Sequence, residues 1–194
     1  LDCCYDKMLT VIRGDVRDKS LISKYLNDVD VILPLACLTG APLCKSYPFE
    51  TKAIIVDSVK MISDLRSHDQ RIIFPTTNSG YGIGQKGVFC TEETPLKPIS
   101  LYGKLKVDIE KILLDAGNCI TLRLATVFGI SPRMRLDLLV NDFVYRAIND
   151  HFVVLFQADF RRNYIHIRDV SRVFIHCIDN FKQMENEPYN VGLS

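Results

Sequence analysis

The chain has 194 residues, of which 47% are hydrophobic, so it can bury a substantial core and has the length of one main domain. Lysine and arginine (24) nearly balance aspartate and glutamate (23), which argues against nucleic acid or an anionic membrane as a partner. The seven cysteines lack the C-x-x-C spacing of a zinc or redox motif, so we predict no metal and a reducing compartment. Without a membrane-length apolar run or a secretory signal, the expected location is the cytoplasm.

Short runs rich in valine and isoleucine predict strands covered on both faces at residues 9–12, 29–33, 71–74 and 120–124. Helical patterns lie between these strands at 19–26, about 49–65 and 101–116. The alternation predicts an α/β fold with a doubly wound parallel sheet of the Rossmann type.

The pattern changes after residue 130. There we expect a helix at 136–149, strands at 152–156 and 164–167, and a helix at 169–181. We assign residues 1–130 and 164–182 to the Rossmann-type domain. Part of a smaller substrate-binding portion is expected at 131–163 and 183–194.

The candidate catalytic pair is Tyr102 and Lys106, which are four residues apart and so share one face of a helix. Y-x-x-x-K alone is weak, because chance gives roughly half an occurrence in a chain of this composition. Its context is more specific: the pair opens a helix behind Ser100 and follows Thr77, which closes a buried strand. Lys106 and an oxidised nicotinamide would favour the phenolate of Tyr102, which could then accept an alcohol proton while Thr77 orients that alcohol.

Residues 82–87 match G-x-G-x-x-G, the fingerprint of a dinucleotide-binding turn. That fingerprint requires a helix to open at its last glycines, whereas residues 88–95 have turn and strand character and end in proline. We therefore interpret residues 82–87 as a loop that borders the substrate.

Three further positions have competing interpretations. Asp15, after the first predicted strand, could bind an adenine amino group or cap the following helix. Arg161 and Arg162 could bind a diphosphate, although a solvated basic pair is the more common arrangement. His166 lies within a predicted strand, where a structural role is more common than a catalytic one.

Together these residues resemble the extended short-chain dehydrogenase/reductases, in particular UDP-galactose 4-epimerase and related nucleotide-sugar epimerases and dehydratases. The likeness covers almost the whole chain. It is carried by the order and spacing of segments 14–18, 35–37, 74–82, Tyr102 with Lys106, 122–129, 162–170 and 189–192.

The resemblance implies roles for individual residues. Asp15 and Val16 would contact adenine, and Leu35 and Ala36 would line the cofactor. Tyr102 and Lys106 would also bind the cofactor, and Lys106 would hold the nicotinamide ribose. On the substrate side the implied residues are Asn78, Ser79, Thr126, Leu138, Phe156 and Arg162, the last binding the diphosphate of the sugar nucleotide. The implied cofactor is NAD, with NADP as the alternative, and the implied assembly is a homodimer through the helix that bears Tyr102.

Departures from the family pattern narrow the reaction. Dehydratases of the family place an acid directly after the catalytic threonine, whereas this chain has Asn78 and Ser79. Thr126 and Ile55 stand where asparagine is frequent. We also expect that a first β-α-β unit with the glycine-rich turn, roughly 40 residues, is missing before Leu1.

The sequence thus favours an NAD-dependent epimerase that oxidises C4 of a nucleoside-diphosphate sugar to a 4-keto intermediate. The alternatives are a nucleotide-sugar dehydrogenase, reductase or dehydratase of the same family. An alternative of another class is a non-catalytic protein that senses a dinucleotide.

Overall fold

The computed structural model describes residues 6–84, 88–156 and 158–192. The strands are β1 (Val31–Ile32), β2 (Arg71–Thr77), β3 (Cys119–Leu124), β4 (Thr126–Phe128), β5 (Tyr164–His166) and β6 (Pro188–Val191). The main sheet has four parallel strands in the order β1-β2-β3-β6, and a separate two-stranded parallel sheet pairs β4 with β5.

Eight α-helices flank these strands in the described ranges. They are α1 (Lys19–Leu26), α2 (Ala41–Ser46), α3 (Pro48–Lys52), α4 (Ser58–Leu65), α5 (Leu101–Ala116), α6 (Leu139–Asn149), α7 (Ile167–Asp179) and α8 (Phe181–Met184). A π-helical stretch, Ala53–Asp57, joins α3 to α4, and a single 3₁₀ turn, Asn78–Tyr81, follows β2.

Alternate residues of β2 face two separate cores, as expected for a strand covered on both faces. Ile72 and Phe74 pack with α4 and α5, together with Ile109 of α5. Ile73 packs on the opposite side of the sheet, with Val170 of α7. Helices therefore cover both faces of the main sheet, and the predicted doubly wound parallel fold is confirmed.

Local capping explains where the principal helices begin. Asp18 accepts hydrogen bonds from Ser20 N and Leu21 N at the start of α1. At the start of α5, Ser100 Oγ accepts from Gly103 N at 3.0 Å. The helix ends at Gly117, whose φ of 74° is a left-handed conformation that glycine adopts without strain.

Two predicted strands are not formed. Residues 9–12 and 152–156 lie outside every strand, and their apolar side chains, including Leu9, Val11 and Phe152, are exposed. A strand needs a hydrogen-bonded neighbour, and no strand within the described residues pairs with either segment. Both predictions were wrong because an apolar run reports hydrophobicity and not the presence of a partner.

Other boundaries also differ from prediction. The expected strand 29–33 is reduced to Val31–Ile32, and the expected helix 49–65 is divided by the π-helical stretch.

The structure also corrects one of the predicted domain boundaries. Pro188–Val191, predicted within the substrate-binding portion 183–194, forms β6 of the main sheet beside β3. None of the described helices is long and apolar enough to span a membrane.

Candidate functional site

The elements that carry the predicted catalytic residues contact each other at the carboxyl end of β2. Thr77 is the last residue of that strand, and its Oγ1 accepts a hydrogen bond from Ser79 N at 3.1 Å. This contact starts the 3₁₀ turn formed by Asn78, Ser79, Gly80 and Tyr81. The hydroxyl of Thr77 is therefore fixed by the chain that immediately follows it.

Helix α5 begins against the same turn. Gly103 is buried, and a Cβ atom added to it would lie 3.3 Å from the carbonyl oxygen of Ser79. A larger residue at 103 would therefore crowd the turn. This close approach places Tyr102, the neighbouring residue, beside the turn that Thr77 begins.

Lys106 lies one helical turn after Tyr102 and is only 4% exposed. Its Nζ donates a hydrogen bond to the carbonyl oxygen of Pro75 at 2.8 Å and lies 4.2 Å from the centre of the Phe74 ring. The distance from Nζ to the centre of the Tyr102 ring is 6.0 Å. Lys106 thus connects the helix that bears Tyr102 to the strand that ends at Thr77.

Burial dominates the ionisation of this pair. It raises the pKa of Tyr102 above its ordinary value, and it lowers the pKa of Lys106. We predicted that Lys106 together with an oxidised nicotinamide would favour the phenolate of Tyr102, and this stays a prediction. Among the protein's own groups, burial and the Cys37 and Cys44 thiols raise the pKa of Tyr102, and Arg135 opposes the rise.

Arg135 is a residue of this region that the sequence analysis missed. It donates to Thr39 Oγ1 at 2.7 Å, linking the segment after β4 to the segment after β1, and it also pairs with Asp137. Its positive charge opposes the rise in the pKa of Tyr102. Nδ2 of the buried Asn141 side chain donates a hydrogen bond to the carbonyl oxygen of Arg135 at 3.0 Å. No sequence motif signalled this cation, because its position depends on two loops meeting.

A buried polar network continues along the same face of α5. Glu110, one turn after Lys106, accepts from Thr76 Oγ1 at 2.9 Å and pairs with Arg123 Nη2 at 2.7 Å. Arg123 also donates to Tyr81 Oη at 2.8 Å and to a backbone carbonyl at residue 92. Glu110 is 3% exposed and Arg123 is 6% exposed, so removing either side chain would leave the charge of the other buried without its ionic partner. Sequence reasoning missed this network as well.

The predicted cofactor-side residues are accessible. Asp15 is exposed and pairs with Arg17, which lowers the pKa of its carboxyl to about 2. The helix cap is Asp18, so the alternative that Asp15 caps α1 was wrong. Leu35 and Ala36 are exposed in the segment that follows β1, and Val16 is partly exposed.

The predicted substrate-side residues are more widely spread. Thr126 starts β4 and pairs in register with Tyr164, and Leu138 immediately precedes α6. Phe156 and Arg162 are exposed on the connection between α6 and β5, and the described contacts do not join them to the turn after Thr77. His166 caps α7 through Nδ1, which accepts from Arg168 N at 3.2 Å, in agreement with a structural role.

The described part of the G-x-G-x-x-G match, residues 82–84, follows the 3₁₀ turn. Residues 85–87 lie outside the described residues. Gly82 has a φ of 75°, and no helix begins in the described stretch from residue 88 to residue 100. The local structure is therefore not the strand-turn-helix that binds a pyrophosphate.

Comparison with known proteins identifies the family to which the chain is similar. The model of the NAD dependent epimerase/dehydratase family matches residues 3–192. A UDP-glucose 4-epimerase of Lactobacillus helveticus is 33% identical over 107 residues, which are 52% of this chain and 32% of that protein. An uncharacterized UDP-glucose epimerase of Bacillus subtilis is 26% identical over 196 residues, covering 96% of this chain and 58% of its own length.

Solved structures share the fold. The UDP-glucuronic acid 4-epimerase of Bacillus cereus, in complex with UDP-glucuronic acid and NAD, has a TM-score of 0.84 at 23% identity, over 100% of this chain and 63% of that one. The dTDP-glucose 4,6-dehydratase of Bacillus anthracis, in complex with NAD, has a TM-score of 0.81 at 22% identity, over 98% of this chain and 60% of that one. The chain therefore spans at most about three fifths of the length of these proteins.

Proposed function

The chain belongs to the NAD-dependent epimerase/dehydratase family, and from that membership and the site we propose that the full-length protein epimerises a nucleoside-diphosphate sugar through oxidation at C4. The observation that carries the proposal is the junction of α5 with the turn after β2. Thr77 ends β2 there, and α5, which carries Tyr102 and Lys106, contacts the turn that follows, at the carboxyl end of the parallel sheet where ligands of such folds bind.

The described residues fit a dinucleotide at two places. The ionised carboxylate of Asp15 can accept a hydrogen bond from an adenine amino group, and the exposed side chains of Leu35 and Ala36 offer an apolar surface to the cofactor. Lys106 offers a donor close to Tyr102, suited to a ribose hydroxyl. NAD, when bound there, supplies the hydride acceptor.

The protein's own residues would then move the proton. Thr77 orients the C4 hydroxyl, and the phenolate of Tyr102 accepts its proton as the carbon is oxidised. Because burial raises the pKa of Tyr102, the phenolate needs nearby positive charge. Arg135 contributes part of this charge, and the oxidised nicotinamide would contribute the rest together with Lys106, whose Nζ lies 6.0 Å from the centre of the Tyr102 ring.

Epimerisation is favoured over dehydration by the residues after Thr77. A dehydratase needs an acid to protonate the departing hydroxyl, whereas Asn78 and Ser79 are neutral members of the 3₁₀ turn. On the substrate side we propose that Arg162 binds the diphosphate and that Thr126 faces the sugar. Leu138 and Phe156 would contact the nucleotide.

The decisive experiment uses the purified full-length protein. Any nicotinamide cofactor released by denaturation is identified first. Fresh protein is then incubated with UDP-, GDP-, CDP- and dTDP-sugars, and the products are analysed by NMR. A C4-inverted sugar with retained NAD supports the proposal.

Other products would overturn it in defined ways. A 4-keto sugar would indicate a dehydrogenase, and a 4-keto-6-deoxy sugar a dehydratase. A bound dinucleotide without any turnover would indicate a sensing protein. Each outcome is distinguished by the product and the cofactor together, so that a missing activity is not confused with a missing ligand.

A further inference from the structure

Two thiols converge beside the proposed catalytic pair. Cys37 Sγ and Cys44 Sγ each donate a hydrogen bond to the carbonyl oxygen of Leu38, both at 3.3 Å. Because the two sulfur atoms share one acceptor, they lie within twice that distance of each other. The shared acceptor brings together two residues that are seven positions apart in the chain.

The position of Cys37 connects this pair to the site. Cys37 and Tyr102 pack against the same hydrophobic core, and the charge of Lys106 acts on the Cys37 thiol. Cys37 also directly follows the exposed pair Leu35 and Ala36. A covalent change at Cys37 would therefore act on the segment that lines the proposed cofactor site.

The two cysteines differ in accessibility. Cys37 is partly exposed, whereas Cys44 is fully buried in α2. A small oxidant can therefore reach Cys37 first, while Cys44 needs to meet only its neighbour. This is the usual division between a thiol that reacts first with the oxidant and a resolving thiol.

We propose that Cys37 and Cys44 form a redox-sensitive dithiol, a modification site at which a low-molecular-weight disulfide such as oxidised glutathione converts the pair into an intramolecular disulfide. The Cys37 thiolate attacks the oxidant and expels one glutathione thiolate. Cys44 then loses its proton, attacks the Cys37 sulfur and expels the second glutathione. Two protein thiols are oxidised, and one glutathione disulfide is reduced to two thiols.

A disulfide between Cys37 and Cys44 would alter the site through the backbone that lies between them. A disulfide holds its two sulfur atoms about 2 Å apart, so closing it withdraws both thiol donors from the Leu38 carbonyl and constrains the segment of residues 38–43 between the two cysteines. That segment includes Thr39, which accepts the hydrogen bond from Arg135. Oxidation would thus displace both the segment after β1 and a cation that acts on Tyr102.

Burial sets the expected pH dependence. It raises the pKa of both thiols, and Lys106 opposes the rise at Cys37. The reaction should therefore be slow at neutral pH. Because thiolate is the nucleophile, its rate should increase about tenfold between pH 7 and pH 8.

The experiment follows the mass of one peptide. Cys37 and Cys44 lie together between Lys24 and Lys45, so trypsin releases both in residues 25–45. After treatment of the full-length protein with oxidised glutathione and alkylation of remaining thiols, this peptide should have lost two hydrogen atoms and carry no alkyl group. Dithiothreitol should reverse the change.

Variants separate the two steps. Cys44→Ser should retain a glutathione adduct on Cys37, because the resolving thiol is gone, whereas Cys90→Ser should behave as the wild type. Two unmodified thiols, or a lasting adduct in the wild type, would overturn the dithiol. Circular dichroism confirms that each variant is folded.

A second readout addresses the consequence for the site. Turnover of the full-length protein should fall at least about tenfold on complete linkage and recover with dithiothreitol. Complete linkage with unchanged turnover would overturn the regulatory effect. The peptide mass decides the modification site even if the proposed epimerase activity fails, so the two failures are distinguishable.

Discussion

At the scale of single residues, the phenol of Tyr102 is the group on which the proposed chemistry depends. Tyr102→Phe removes only the hydroxyl oxygen, so it should lower turnover roughly a thousandfold while leaving cofactor binding intact. The matched control is Tyr145→Phe, because Tyr145 lies exposed on α6. Turnover and retained NAD are measured for both variants. Full activity of Tyr102→Phe would remove Tyr102 as the base.

Two buried threonines on adjacent strands provide a second residue-scale test. Thr76 donates to Glu110 Oε2 at 2.9 Å, whereas the hydroxyl of Thr121, which is 0% exposed, has no hydrogen-bond partner in the described part of the chain. Thr76→Val should cost about 1 kcal/mol of unfolding free energy, because it leaves a buried carboxylate oxygen with one fewer donor. Thr121→Val should be neutral or stabilising, since it removes an unsatisfied polar atom.

Urea denaturation of both threonine variants measures the difference directly. The two substitutions remove the same atom and add the same methyl group, so packing effects are closely matched. Equal loss of stability in the two variants would mean that the hydrogen bond from Thr76 to Glu110 contributes nothing.

At the scale of elements, the loop after β2 depends on one glycine. Gly82 has a φ of 75°, and a Cβ atom added there would lie 2.2 Å from the carbonyl oxygen of Lys97, whereas a Cβ at Gly84 would meet nothing within 4 Å. Gly82→Ala should therefore destabilise the protein by at least about 1 kcal/mol, through backbone strain and a steric clash. Gly84→Ala should change stability by less than about 0.5 kcal/mol.

Thermal denaturation of the two glycine variants checks this expectation. A loss of stability in Gly84→Ala as large as that in Gly82→Ala would show that the loop is held by something other than the approach of Gly82 to Lys97. The same pair of variants tests whether the conformation of this loop affects turnover.

Elements with a local signal were predicted well from the sequence. Helices α1 and α5 match the predicted 19–26 and 101–116, because each has a capping side chain at its start and apolar residues at helical spacing. Strands β2 and β3 begin at or within one residue of the predicted positions, because each contains a short apolar run in the centre of the sheet, although β2 continues three residues beyond the predicted 71–74.

Features that depend on distant partners were not predictable in the same way. Residues 9–12 and 152–156 have strand-like sequences but no paired neighbour in the described ranges, whereas β6 has a polar middle and pairs with β3. The π-helical stretch, residues 53–57, packs against α5, which is distant in the sequence. Sequence periodicity contains none of this information.

The residues of the candidate site also fall into those with a local sequence signal and those that depend on distant contacts. Tyr102, Lys106 and Thr77 were predicted because fixed spacing and strand position define them. Arg135 and the pair of Glu110 with Arg123 were not, since each contact joins segments that lie apart in the chain. The roles of Tyr102, Lys106 and Thr77 stay predictions, as do those of Phe156 and Arg162.

At the scale of the whole molecule, helix α5 links the apolar core to the proposed chemistry. Its apolar residues, among them Ile109 and Leu113, fill the core beside β2. Its polar residues Lys106 and Glu110 reach consecutive residues of that strand, Pro75 and Thr76. Because both contacts come from one rigid helix, the stability of the core and the position of Thr77 relative to Tyr102 are coupled.

The core also makes stability sensitive to alkali. Cys119 lies at the start of β3, is fully buried and donates to the carbonyl oxygen of Leu113 at 3.1 Å. Burial raises the pKa of its thiol from 9.0 to about 11. The folded state therefore holds this proton more tightly than the unfolded state. The resulting stability is fully present below pH 9 and is lost as the pH rises from 9 to 11.

Cys119→Ala should abolish that part of the pH dependence. Its unfolding free energy should be lower than that of the wild type below pH 9, because a buried atom is lost, and the difference should shrink by roughly 2 kcal/mol toward pH 11. Tyr102 and Lys106 also titrate in alkali, but they are present in both proteins and cancel in the comparison. Denaturation in urea at several pH values from 8 to 11 gives the two curves. If the curves run parallel, the Cys119 thiol does not titrate differently in the folded and unfolded states, and the alkaline sensitivity belongs to other buried groups.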